Sequence, residues 1–142
     1  MRNEQAATIL RDIFQHAVDS ARAGPVIPPN LPEKPRGRCV VIGAGKASAA
    51  MAAAVDAAWP DVDVSGVVVT RYGHAVPAGR IRILEAAHPV PDAMSDTAAL
   101  LIGETLPGLT SDGLVLALIS GGGAALMAPP APGRAPGDTP NI

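Results

Sequence analysis

A chain of 142 residues, 48% of them hydrophobic, has room for one modest domain with a packed core. A net charge of −2 without a basic run, and aromatics limited to Phe14, Trp59 and Tyr72, exclude the charge and stacking surfaces of a nucleic-acid binder. Cys39 stands alone, so no internal disulfide can form, and no apolar run reaches the roughly 18 residues of a membrane span.

Asn3 is expected to cap a first helix. Ala6, Ile9, Leu10, Ile13, Phe14, Ala17, Val18 and Ala21 recur at helical spacing, up to a stop before Gly24-Pro25. Glu4 and Asp12 interrupt this start, which does not read as a signal peptide, and His16 reads as a surface residue. Residues 24–38 hold five prolines and two glycines, a density at which no regular element is expected. They read as a stiff connector or a cover over a sheet edge. Cys39-Val40-Val41-Ile42 reads as a buried strand, Gly43-Ala44-Gly45 as a turn, and Ala47 to Ala58 as a helix that stops at Trp59-Pro60. Cys39 is then a buried structural thiol, which fits a cytoplasmic location.

A second strand is predicted over Val64 to Thr70 and a third over Ile81 to Ala87. The loop between them is short for a crossover helix. The third strand is therefore expected either to pair antiparallel or to run as a short parallel strand elsewhere in the sheet. His88-Pro89-Val90-Pro91-Asp92 forms an extended turn. A helix follows, capped by Asp92 or Ser95 and reaching Leu106. Gly113 to Ile119 is wholly apolar, as a buried parallel strand is. Ser120-Gly121-Gly122-Gly123 breaks it, and a short helix begins at Ala124. Residues 128–142, with five prolines and two glycines, are expected to be a disordered tail after a domain of residues 1–127. The fold class is α/β with a mostly parallel sheet.

A strand, a glycine turn and a helix expose backbone N–H groups to an anion, and Lys46 adds a mobile positive charge. The turn matches neither of two familiar phosphate motifs. The dinucleotide fingerprint wants glycine where Ser48 stands and an acid after the second strand, which ends in Thr70-Arg71. The P-loop wants other residues at Val40 and Ala47. Gly43 and Gly45 could also serve only close helix–strand packing. Ligands of open α/β sheets bind at the carboxyl ends of the strands. Those ends carry Lys46, Arg71 with His74 nearby, His88, and Ser120 with Gly121, Gly122 and Gly123. Together they read as a site for a phosphorylated or carboxylated small molecule. Arg71 and His74 have a plainer reading as solvated loop residues, and His88 as a residue that orders its turn. No metal-ligand spacing and no hydrolase triad is present.

VVIGAGKASAAM, SGVVVTRYGHA, HPVPD and LISGGGAALM resemble, in this order, the N-terminal domain of the glycerate 2-kinase family associated with the MOFRL domain. The resemblance covers about residues 4–132. It implies a Rossmann-like three-layer sandwich, the first part of a larger two-domain protein. It also implies ATP-dependent phosphorylation of glycerate on its 2-hydroxyl, with ATP and Mg²⁺ in the cleft between domains. Lys46 would sit at the reacting phosphate, and Ser120 to Gly123 would hold ligand phosphate or carboxylate. Ala124 stands where the family usually has serine. A homodimer stays open. Some relatives are called hydroxypyruvate reductases, which the missing ribose acid does not favour. A non-catalytic ligand-binding fragment is a third reading. The family continues well past this point, so the chain is expected to be a truncated or fragmentary member. It would lack turnover and expose Leu116, Leu118 and Leu126.

Overall fold

The computed structural model describes residues 2–129. The tail expected after residue 127 lies, from residue 130 on, outside the described residues. The helical spacing near the start yields α1 (Arg2–Ser20), with Asn3 inside the helix rather than capping it. The apolar stripe is present, but nothing among the described residues covers it. Ile9, Leu10, Ile13, Phe14 and Val18 are exposed, Phe14 by 68%. His16 is on the surface as expected.

The proline-rich segment contradicts the expectation of no regular structure. It forms α2 (Ala23–Val26) and a 3-10 turn (Pro28–Asn30). Proline is tolerated in a first turn, where its missing N–H has no partner to lose. Pro25 and Pro28 both occupy such positions. Ile27 and Leu31 then pack on the core beside the following helix, so the segment is a cover.

The remaining elements are β1 (Cys39–Ala44), α3 (Ser48–Ala58), β2 (Val64–Arg71), β3 (Ile81–Ala86), α4 (Ala93–Glu104), β4 (Leu114–Ile119) and α5 (Gly123–Leu126). The strand order is β3-β2-β1-β4, and every pair is parallel. An antiparallel third strand is thus ruled out, and so is a place for it away from β2. Residues 72–80 can span about 30 Å when extended, more than the roughly 20 Å length of a six-residue strand. They cross without a helix because Arg80 holds them to α3. Its guanidinium donates to the carbonyls of Trp59 at 2.8 Å and Asp56 at 3.2 Å, and to the Asp56 carboxylate at 2.7 Å. Ala78 is buried in the same core as Trp59.

One core lies between the sheet and α3 and is built on Cys39, Val41, Val55, Val68 and Leu118. The other lies under α4 and α5 and is built on Val69, Leu84, Ile102 and Leu126. Strand β1 is interior and buried but for partly exposed Ile42, whereas β4 forms an edge. The apolar β4 is therefore not the buried strand that its composition suggests. Leu114, Leu116 and Leu118 pack toward α3, while Val115, Ala117 and Ile119 face outward, Ile119 at 60% exposure. Leu118 and Leu126 are buried rather than exposed.

Candidate active site at the switch point of the sheet

The chain leaves β1 toward β2 on one side and later returns to β4 on the other. The crevice outside β1 and β4 is therefore the topological switch point, where such sheets bind ligands. Both glycine turns end there and interlock. Lys46 N–H donates to the Gly121 carbonyl at 3.0 Å, Ser120 N–H to Ala44 at 3.1 Å, and Gly45 N–H to Val69 at 3.2 Å. Ala47 N–H donates to Ser120 Oγ at 3.0 Å. Gly45 has φ +138, and a side chain there would collide with Ser120 Oγ. The buried Ser48 hydroxyl lies 2.7 Å from the Gly45 carbonyl and 2.8 Å from that of Val69.

These bonds revise the expectation of free amides at the first turn. The N–H groups of Gly45, Lys46 and Ala47 all have protein acceptors. This turn offers the Lys46 side chain, which is exposed, and not an amide cradle. Gly43 lies within β1, where a Cβ would fall 2.5 Å from the Leu118 carbonyl oxygen, so its requirement is close packing of β1 on β4.

The second turn differs. The amides of Gly121 and Gly122 donate to no described acceptor. Gly122 has φ +89, a conformation that favours glycine. A Cβ there would lie 2.6 Å from His88 Nε2 and 3.4 Å from Lys46 Cε. Half-buried His88 and the Lys46 side chain thus lie close against the Gly121-Gly122 backbone. Such a set can hold an anion through one ammonium, an imidazole nitrogen and two amide donors. Gly123 opens α5 against the Ala44 carbonyl, and a cis peptide bond joins His88 to Pro89. The Ser120 hydroxyl is an acceptor for Ala47 and fixes one turn to the other.

Arg71 and His74 share this edge but stand on its β2–β3 side. Their exposed side chains form no hydrogen bond to a described residue. Sequence reasoning found the Asp92 cap of α4 but missed the other contacts that organise that side. Glu85 accepts the amides of Gly73 at 2.7 Å and Ala75 at 3.2 Å. Tyr72 donates its hydroxyl to Asp92 at 2.9 Å. Asp92 is the cap of α4, accepting from Met94 and Ser95 N–H, and also from Ala87 N–H at 3.3 Å. Burial pushes its carboxyl up, but the bonds from Tyr72, Ala87, Ser95 and Met94 outweigh this and hold it below the usual range. Ser48 had a signal, since a small polar residue opened the helix in place of the fingerprint's third glycine.

Two surface hollows of about 420 and 330 Å³ lie at the opposite, amino-terminal edge of the strands. They are lined by Lys34, Arg36 and Asp112 among others, and Lys34 pairs there with Asp61 at 2.6 Å. Neither hollow touches the glycine turns. Among the described residues no helix is long and apolar enough to cross a membrane.

An open four-stranded parallel sheet flanked by helices, with its glycine turns at the carboxyl ends of β1 and β4, defines an α/β protein of the doubly wound kind. Residues 9–139 match the family model described as "Domain of unknown function (DUF4147)", and the chain belongs to that family, which its relatives tie to the glycerate kinases. It is 68% identical over 125 residues to an Agrobacterium vitis protein named "Putative hydroxypyruvate reductase", covering 88% of this chain and 28% of that one. It is 40% identical over 98 residues to the glycerate 2-kinase of Pyrococcus horikoshii, covering 69% of this chain and 22% of that one. The crystal structure of a glycerate kinase from Thermotoga maritima superposes with a TM-score of 0.78 at 29% identity, covering 93% of this chain and 32% of that one. The chain thus spans less than a third of the length of each of these proteins.

Proposed function

We propose that this chain carries one wall of the active site of an ATP-dependent glycerate 2-kinase. The observation that carries this reading is the closeness of Lys46 and His88 to Gly122 at the switch point, beside the Gly121 and Gly122 amides, which donate to no described acceptor. Phosphoryl transfer depends on positioning and on neutralising charge at the transferred group. Lys46 supplies the charge, the two amides fix an oxygen, and His88 Nε2 closes the side of the space. Ser120 fixes one turn to the other, and Ser48 ties the first turn to β2. Arg71 and His74 flank the approach to the site. ATP, when bound, supplies the phosphoryl group that passes to the 2-hydroxyl of glycerate. Magnesium bound with ATP would be held largely by phosphate oxygens and water. The described residues hold no group of three acidic, histidine or cysteine side chains placed for a metal, and Asp92 is engaged as a helix cap. A reducing, cytoplasmic setting fits the buried Cys39 thiol.

The name carried by the Agrobacterium vitis relative favours a second reading, a hydroxypyruvate reductase. Against it, β2 ends in Thr70-Arg71 with no carboxylate for a ribose, and the amides of the first glycine turn are occupied. Titration calorimetry with ATP and with NADH separates the two. ATP binding that Lys46→Ala abolishes is expected, and binding of NADH alone would reverse the preference. A coupled ADP-release assay on these 142 residues is expected to show no glycerate-dependent turnover. Clear turnover would mean that one wall suffices.

A further inference from the structure

Asp92 joins more of the site's rim than a helix cap requires. Its two carboxylate oxygens have different partners. Oδ1 accepts the Met94 and Ser95 amides at 3.1 and 3.2 Å, which completes the cap of α4, and also the Ala87 amide at 3.3 Å. Oδ2 accepts the Tyr72 hydroxyl at 2.9 Å, a bond that the cap does not need. Ala87 and Asp92 are the two ends of the turn that carries His88. His88, Pro89, Val90 and Pro91 themselves make no hydrogen bond to a described residue. The turn is therefore held at its ends, and one carboxylate holds both. Tyr72 reaches the same place from the β2–β3 side. Its amide donates to the Ala86 carbonyl at 3.2 Å, and Glu85 pins the residues after it through the Gly73 and Ala75 amides. Tyr72 is 49% exposed, so its hydroxyl bond adds little to the stability of the fold. It links the loop of Arg71 and His74 to the turn of His88.

We infer that Tyr72 and Asp92 are positioning residues of the switch-point site. Through the Asp92 carboxylate they fix His88 against Gly122, and they tie the loop of Arg71 and His74 to the same turn. Each acts through His88 and that loop. His88 Nε2 lies so near Gly122 that a Cβ there would fall 2.6 Å from it, so a shift of the turn changes the surroundings of the Gly121 and Gly122 amides. Displacements of about 1 Å matter at a site that works by alignment. The inference takes the switch point as the ligand site, as the kinase reading does, but the placement of His88 is measurable without any ligand.

Tyr72→Phe removes one hydroxyl, and Asp92→Asn keeps a capping oxygen while losing the charge. Three measurements on the 142-residue chain separate positioning from folding. Nitrogen-15 NMR of the unliganded chain follows the His88 ring and the Gly121 and Gly122 amides. Tyr72 is the single tyrosine, so its phenolate absorbance reports the bond itself. Titration calorimetry with ATP reports the site. In both variants the His88 and Gly122 resonances are expected to move. In Asp92→Asn the Tyr72 titration is expected to fall toward the ordinary tyrosine value of about 10, from the raised position that its bond to the Asp92 carboxylate gives it. Tyr72→Phe is expected to lower ATP affinity about three- to tenfold while the melting temperature changes by no more than about 2 °C. Adding it to Asp92→Asn should weaken binding no further, because the two residues act through one bond. Unmoved His88 and Gly122 resonances in folded Tyr72→Phe would overturn the inference, whatever the ATP affinity. So would a large drop of its melting temperature, the mark of a bond that only supports the fold. Moved resonances with unchanged ATP affinity would overturn it too, when Lys46→Ala still abolishes binding. If ATP does not bind the unaltered chain, the kinase reading falls and the resonances alone decide the inference.

Discussion

Lys46 stands out because its own amide is fixed to Gly121 while its exposed ammonium bonds to no described residue. Lys46→Ala therefore leaves the two turns locked and removes only charge. Stability is expected to change by less than about 0.5 kcal/mol, as at exposed positions. ATP affinity is expected to fall at least about tenfold, as loss of a charge-assisted contact would produce. Chemical denaturation paired with calorimetry checks both halves. Gly122→Ala tests the neighbouring position by a different mechanism. A side chain there meets His88 and must adopt φ +89. The strain is expected to cost about 1–3 kcal/mol, readable in a urea midpoint. Binding should be lost together with stability, in contrast to Lys46→Ala. Cys39 has a third kind of role. Burial pushes its thiol up, so it is expected to be inert to thiol reagents in the native chain and to react only on unfolding.

Two elements are held by single side chains, of which the sequence pattern marked Asp92 and not Arg80. Arg80 places a guanidinium at the carboxyl end of α3, where the helix dipole favours positive charge, and anchors the crossover into β3. Arg80→Ala leaves the Trp59 and Val62 carbonyls without this donor. A loss of about 2 kcal/mol is expected from the thermal midpoint, with β3 exchanging its amides first. Asp92 holds α4. Its carboxyl lies below the usual range when folded, so its stabilisation is complete above the ordinary aspartate value of about 4. That stabilisation is lost as pH falls through the lowered folded value. Asp92→Asn is expected to flatten this acid limb of the stability profile and to weaken the Tyr72 contact. Circular dichroism across pH 2–7 (roughly the span of the carboxylate titration) measures the difference.

Among the described residues, α1 and β4 both leave apolar side chains open, and they differ in kind. Helix α1 contributes no residue to either core among the described residues. Removal of residues 2–20 is therefore expected to shift the melting temperature by no more than about 2 °C, since surface changes away from packing are small. A larger drop would mean that α1 packs in solution. The cover segment is not expendable in the same way, because Ile27 and Leu31 close the core over α3.

Local chemistry carried a large part of this molecule into its sequence. The runs of Val, Ile and Leu in β1, β2 and β4, the alanine density of α3 and the Asp92-Ser95 cap act through neighbours a few residues away, so element types were legible. The glycine turns and Lys46 were legible as a site for the same reason. Long-range pairing was not. The parallel docking of β3 beside β2 depends on Arg80 reaching α3, a contact across 24 residues that no periodicity encodes. The use of the first turn's amides was hidden as well, because the acceptors of Lys46 and Ala47, Gly121 and Ser120, lie more than 70 residues away. Burial of β4 was misjudged because composition records what a strand can be packed against, whereas exposure depends on what stands beside it. The meeting of His88 with Gly122 and Lys46 has the same cause. Three segments remote in the chain become neighbours only when the parallel sheet aligns the carboxyl ends of its strands.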